Sequence, residues 1–326
     1  MKKRKFFAND VYYGCVNAYT DLYRDGGMSI GFNYGVLISD VADIWRLSSE
    51  IIQEGKNISL ENERGRAVIC GLGKRFRRAL NKADAIIGRC RSAWEFDPYV
   101  ELFLQEVVSS GLAGIPRWLL YECDERALFL LSECIENIRV KGNSSEFKRK
   151  INDFKRVPNK SYKSMVGYFE KLFDKYDELL VVRLNLFYLK DAGRLAVGKE
   201  YERVARDRDR FLREGVSGFS IQLYGYAWKI EGDSVRGYRL HMVLLFDREV
   251  SGNVSVGVML GRYWESIAAG EGRFFCFNGV SGSMASFQES TGYRDIQLIA
   301  VYLALTDAYA RAILPKGARR LGRGQA

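Results

Sequence analysis

The most constraining stretch is the pair of alternating runs Gly225-Tyr226-Ala227-Trp228-Lys229-Ile230-Glu231 and Gly237-Tyr238-Arg239-Leu240-His241-Met242-Val243-Leu244-Leu245-Phe246-Asp247, separated by the turn formers of residues 232–236. Side chains alternate across a strand, so Arg239 and His241 point one way while Leu240 and Met242 point the other. A hairpin follows. A one-residue slip would send every side chain to the wrong face. The register that buries one apolar face therefore sets Trp228 and Ile230 beside Leu240 and Met242. It leaves Lys229, Glu231, Arg239 and His241 together on the opposite face. His241 is the only histidine in the 326 residues, so histidine chemistry in this chain has a single address.

The strand-like run 179–188 extends the pattern. Arg183 and Asn185 share one face, with Val182, Leu184 and Leu186 on the other. Around these strands the chain reads as a helix over 200–213, a helix over 254–269, a short strand from Gly272, a flexible loop over 279–292 and a last helix over 294–313. Tyr302 and Tyr309 lie seven residues apart on that last helix. The expected fold class is α+β: a mostly helical N-terminal half, then an antiparallel sheet with helices on one face.

Four segments are expected. Residues 1–145 form a mostly helical region, including an amphipathic helix over 39–54 and a helix from Gly73 with Phe76, Leu80, Ile86 and Ile87 inward and its cations outward. The aromatic Val11-Tyr12-Tyr13 and Gly31-Phe32-Asn33-Tyr34 lie before it. Gly71-Leu72-Gly73 lacks a third glycine and is not a dinucleotide loop. Pro116 marks a break within 97–140. Residues 146–177 form a basic linker and helix in which Pro158 is expected to end any helix. The domain of interest spans 178–314, and 315–326 is a basic, mobile tail.

Composition narrows function. No run approaches the roughly 18 apolar residues of a membrane span, and the N-terminus lacks a signal-peptide core, so a cytoplasmic protein without membrane association is expected. Cys15, Cys70, Cys90, Cys123, Cys134 and Cys276 show no metal-binding or disulfide spacing. A formal charge of +10 points to a polyanionic partner.

Several segments, in order, resemble the inovirus-type replication-associated proteins, the filamentous-phage gene-two group and prophage YagK/YfjJ-like C-terminal domains. They are residues 182–188, Tyr226 to Glu231, Gly237 to His241, Leu260-Gly261-Arg262-Tyr263-Trp264 with Gly272-Arg273-Phe274, Tyr302 to Asp307, and Arg319 to Gly324. Such proteins resemble the HUH rolling-circle endonucleases. The resemblance implies a phage- or prophage-derived initiator that binds origin or single-stranded DNA and works beside host replication proteins. The resemblance further implies nicking and joining of one strand through a phosphotyrosyl intermediate at a Mg²⁺ or Mn²⁺ site. Carried onto this sequence, Tyr302, Tyr309 and Arg239 are candidate catalytic residues, and His241, Glu231 and Asn185 candidate metal ligands. Arg183, Lys229, Arg319, Arg320 and Arg323 are candidate DNA contacts.

The chain departs from the pattern at Arg239, where the first histidine of the pair belongs, at Asn185 in place of an aspartate, and at Leu305 in place of a lysine. Two other readings stay open. One is a catalytically inactive DNA-binding or regulatory relative in which Arg239 replaces the metal. The other is a protein-interaction module whose charge serves solubility.

Overall fold

The computed structural model describes residues 32–55, 59–63, 66–89, 94–176, 179–189, 197–215, 222–233, 237–247, 256–276, 292–305, 307 and 309–325. The segments around Val11 to Tyr13 and the expected loop before Gly292 lie outside them. The chain divides into two compact units. Among the described residues, one comprises those of 32–157 with 307 and 309–311; the other comprises those of 158–305 and 312–325.

The first unit is helical. It opens with α1 (Phe32–Glu54), then the hairpin β1 (Ser59–Glu63) and β2 (Arg66–Cys70), α2 (Gly71–Arg89) and β3 (Trp94–Phe96). It continues through α3 (Pro98–Ser109), α4 (Arg117–Tyr121) and α5 (Glu125–Gly142). The spacing of Ile44, Leu47 and Ile51 on α1 and of Phe76 and Leu80 on α2 puts each set on one helical face, and all five are buried. Phe103, Leu104 and Val107 of α3 and Leu131, Ile135 and Ile138 of α5 complete that core. Asp97 starts α3: its carboxylate accepts from the Tyr99 amide at 2.9 Å, and Pro98 follows at the first helical position.

α6 (Ser145–Lys175) corrects the expectation that Pro158 ends any helix, because it runs as one helix through that residue. An internal proline removes a backbone donor and crowds the preceding turn. Tertiary burial outweighs that local penalty here: Phe147 and Phe154 are buried before Pro158, and Met165, Tyr168, Phe169 and Leu172 after it.

The second unit is built on β4 (Leu179–Tyr188), α7 (Val197–Arg210), β5 (Leu223–Asp233), β6 (Gly237–Asp247), α8 (Val256–Ile267), β7 (Gly272–Cys276) and α9 (Gly292–Leu305). After β8 (Ala310–Ala312) comes β9 (Leu321–Arg323). The strands form one five-stranded antiparallel sheet in the order β7-β4-β6-β5-β9. Trp228 pairs with Met242 and Ile230 with Leu240, the register expected from alternation. The apolar face packs against α7, the helical turn Phe211–Gly215 that follows it, and α8, where Val204, Phe211, Leu260 and Trp264 join Leu184, Leu186, Ile230, Leu240 and Leu244 in one buried cluster. α8 approaches β7 at backbone distance: a Cβ on Gly261 would sit 2.1 Å from the Phe274 ring. Among the described residues no helix is long and apolar enough to cross a membrane.

Two further expectations change. The basic tail is an edge strand: Ala227 pairs with Arg323 and Lys229 with Leu321, and the Ile230 amide donates to the Arg320 carbonyl at 2.8 Å. Gly322 makes this possible, since a Cβ there would lie 2.4 Å from the Trp228 ring. The last helix ends at Leu305, so Tyr309 does not continue the face of Tyr302. Tyr309 belongs to the first unit, where its ring meets Trp45 edge-on at 5.5 Å and its carbonyl accepts from the Asp97 amide at 2.8 Å.

Candidate functional site

The polar face of the sheet gathers what alternation predicted. Register sets Asn185 and Lys229 on either side of His241, and Phe187 and Glu231 on either side of Arg239. Residues paired across strands project to the same side, so these side chains share one basin. Helix α9 contributes Tyr302 to it. Tyr162 of α6 packs with Val301 and Leu305 of α9, and the Tyr168 hydroxyl accepts from the Tyr226 amide at 3.0 Å.

A hydrogen-bonded chain runs through the basin. Lys229 Nζ lies 2.8 Å from Glu231 Oε1, and His241 Nε2 lies 2.9 Å from Glu231 Oε2. On the other side of the ring, His241 Nδ1 lies 2.5 Å from the Tyr302 hydroxyl. A carboxylate only accepts, so Nε2 carries the hydrogen toward Glu231; in the neutral ring Nδ1 is then the acceptor and Tyr302 the donor. The imidazole and phenol rings meet edge-on, and the Arg183 guanidinium sits 5.4 Å from the Tyr302 ring centroid.

The basin is closed to solvent. Tyr302 is 5% exposed, His241 3%, Lys229 1%, and Asn185, Glu231 and Arg239 are all below one-tenth. Burial opposes a charge on Glu231, yet Lys229 and His241 beside it hold its carboxyl well below the ordinary carboxylate range. The carboxylate is thus ionised and internally compensated. Asn185 keeps one buried acceptor, Oδ1, without a hydrogen-bond partner among the described residues. A buried acceptor in that state favours any donor that enters the basin.

The expected DNA contacts divide. Arg319 and Arg323 are exposed; Arg323 lies over the Tyr168 ring at 4.8 Å, and the Arg319 carbonyl accepts from the Tyr201 hydroxyl at 2.9 Å. Arg320 is half-buried and donates to the Ala312 carbonyl at 2.6 Å. Arg183 is half-buried against Tyr302. Lys229, expected at a nucleic-acid surface, lies inside with its charge on Glu231. The signal was in the sequence: a lysine and a glutamate two apart on one strand face, each flanked by apolar neighbours, are positioned to be buried as a pair.

Of the expected metal ligands, His241, Glu231 and Asn185 do converge, but their present bonding fits a divalent cation poorly. Both imidazole nitrogens are engaged, and both Glu231 oxygens carry partners. Arg239 faces Glu231 across the strand pair. A cation entering here would meet a resident ammonium and guanidinium. Among the described residues no group of three or more His, Cys, Asp or Glu side chains is placed to hold a metal ion.

What the basin offers is a phenol, a base in contact with it, a carboxylate that orients the base, and fixed positive charge nearby. Such a chain of contacts can draw the phenol proton toward the imidazole. No protein-family model, curated protein or solved structure matches the chain.

Proposed function

We propose that the chain is a DNA-binding protein of the replication-initiator type, phage- or prophage-derived, in which Tyr302 is the nucleophile of a strand nicking and joining reaction. The observation that carries this reading is the contact of the Tyr302 hydroxyl with His241 Nδ1 at 2.5 Å, with Glu231 behind the ring at 2.9 Å. Tyr302, 61 residues beyond His241, meets a base and carboxylate from one hairpin, as nucleophile, base and orienting carboxylate. In the step proposed, the Tyr302 oxygen bonds to phosphorus and the bond from phosphorus to the leaving sugar oxygen breaks. The phenol proton passes to His241 Nδ1, and the leaving oxygen takes a proton from water. Joining is the reverse. Glu231 holds the charged imidazole, as a carboxylate does in a hydrolytic triad. Arg183 and Arg239 are the cations whose forked donors suit phosphate oxygens. The same reading sets the protein in the cytoplasm beside host replication proteins, with origin or single-stranded DNA as partner.

Burial favours a second reading. Tyr302 and His241 are 5% and 3% exposed, so the phenol is not presented to DNA at the surface. In that reading the protein binds DNA in a regulatory role without cutting it, and Arg239 serves as a permanent positive charge.

One assay separates them. Supercoiled and single-stranded DNA are incubated with the protein in Mn²⁺ and, separately, in EDTA. The expected result is a covalent protein–DNA adduct in both, abolished in Tyr302→Phe. Binding without an adduct in either condition selects the silent reading. An adduct that needs Mn²⁺ restores a metal role for His241 and Glu231. Absence of binding at low salt removes both DNA readings and leaves an interaction module.

A further inference from the structure

The first unit carries a surface that the polar basin does not use. α2 is cationic outside its buried stripe, with Lys74, Arg75, Arg77, Arg78 and Lys82 on turns whose inner side is Phe76 and Leu80. Some of this charge is compensated within the unit: Arg75 pairs with Glu50, and Lys82 with Asp43 and, at 3.0 Å, with Asp40. The outward end differs. Lys74 and Arg78 are exposed, and the Arg77 guanidinium lies 3.8 Å from the centroid of the Tyr121 ring.

Tyr121 is half of an aromatic pair. Trp118 and Tyr121 stand three residues apart on α4, about 4.5 Å of helical rise, and are 57% and 59% exposed. Large rings held open on a short helix call for an explanation that a core residue does not. α4 is fixed in place: Pro116 precedes it, and Arg117 pairs with Asp84 of α2 and donates to the Leu112 carbonyl at 2.8 Å. The nearby acid Asp124 is occupied in capping α5, accepting from the Ala127 amide at 3.0 Å; Glu122 is exposed.

Two rings one helical turn apart, one already stacked by a guanidinium, beside a cationic helix, match the needs of unpaired nucleotides: a π-face for each base and a cation for each phosphate. A duplex hides its base faces, and a purely apolar protein partner gains nothing from three neighbouring cations. We propose that this face binds single-stranded nucleic acid, with bases stacking on Trp118 and Tyr121 and phosphates on Lys74, Arg77 and Arg78.

Tryptophan emission reports on the site directly, because Trp94, Trp228 and Trp264 are buried and Trp45 is half-buried, whereas Trp118 faces solvent. The test uses the full chain carrying Tyr302→Phe, so that strand cleavage plays no part. Titration with oligothymidine is expected to quench the emission, and a duplex of equal length to quench it far less. In Trp118→Phe the quench should vanish while binding, followed by anisotropy of a labelled oligothymidine, persists. In Trp118→Ala with Tyr121→Ala the affinity should fall roughly tenfold or more, since base stacking is worth about 1–3 kcal/mol per base. Both rings are surface residues, and circular dichroism verifies the fold. Unchanged affinity in the double variant, equal quenching by duplex, or oligothymidine binding without a Trp118 signal would each overturn the proposal.

Discussion

The two faces of the central sheet are made by the same strands and are both buried, but they are built on opposite principles. On one face Leu184, Leu186, Ile230, Leu240 and Leu244 meet Trp264 and Phe211, and every contact gains from leaving water. On the other, Asn185, Lys229, Glu231, Arg239 and His241 are removed from water, and each needs a partner to offset its lost hydration. A sheet covered on both sides would be most stable with apolar residues on both. A polar set in that place therefore costs stability that an apolar set would not.

The contrast can be broken in graded ways. The largest effect should come from the apolar face: Trp264→Ala removes a fully buried ring and its hydrogen bond to the Phe187 carbonyl at 3.2 Å. It should lower unfolding free energy by about 3–5 kcal/mol in a denaturant titration. A loss under about 1 kcal/mol would show that this face is not the main source of stability.

On the polar face, Glu231→Gln strands the buried Lys229 charge and should cost roughly 3 kcal/mol, whereas adding Lys229→Met to it should return most of that loss. A double variant as unstable as the single would mean that the pair is not the element compensating the basin.

A smaller effect concerns acid, and it compares two buried carboxyls. Glu231 is held below its ordinary value by Lys229 and His241, so its contribution is complete above about pH 4.5 and is lost as pH falls through its lower folded value. Asp97 goes the other way. Burial pushes it up to about 6 in spite of the Tyr99 amide, so the folded state binds the extra proton between about pH 4 and 6, and its contribution to stability rises as pH falls across that window. Asp97→Asn should flatten the curve there by on the order of 2 kcal/mol, and Glu231→Gln should flatten only the part below about pH 4.5. Unfolding titrations from pH 7 to 3 read both, and identical profiles in the two variants would erase the distinction.

Much of this sheet was legible beforehand. Alternation with period two has one solution when Trp228, Ile230, Leu240 and Met242 must share a buried face, and that solution carries Lys229, Glu231, Arg239 and His241 with it. Helices α1, α2 and α5 were legible for the same reason, since their apolar residues recur at helical spacing. Less was visible where local and tertiary preferences conflict. Pro158 argues for a break by any local rule, yet burial on both sides of it carries α6 through. Residues 321–323 have no pattern of their own, and become a strand because the free edge of β5 and the Trp228 ring accept Gly322. The strands β1, β3 and β8 are three to five residues long, too short for periodicity to register.

The sequence by itself determined which residues share each side of the sheet, because side-chain direction along a strand is a property of the backbone and needs no neighbours. It also placed Tyr302 on a helix. Only the tertiary structure decided that the phenol reaches His241, that Lys229 turns inward to Glu231 instead of outward to a ligand, and that Tyr309 belongs to the other unit. Those outcomes depend on how helices seat on strands and where charges find compensation, and both are settled by contacts between residues far apart in the chain.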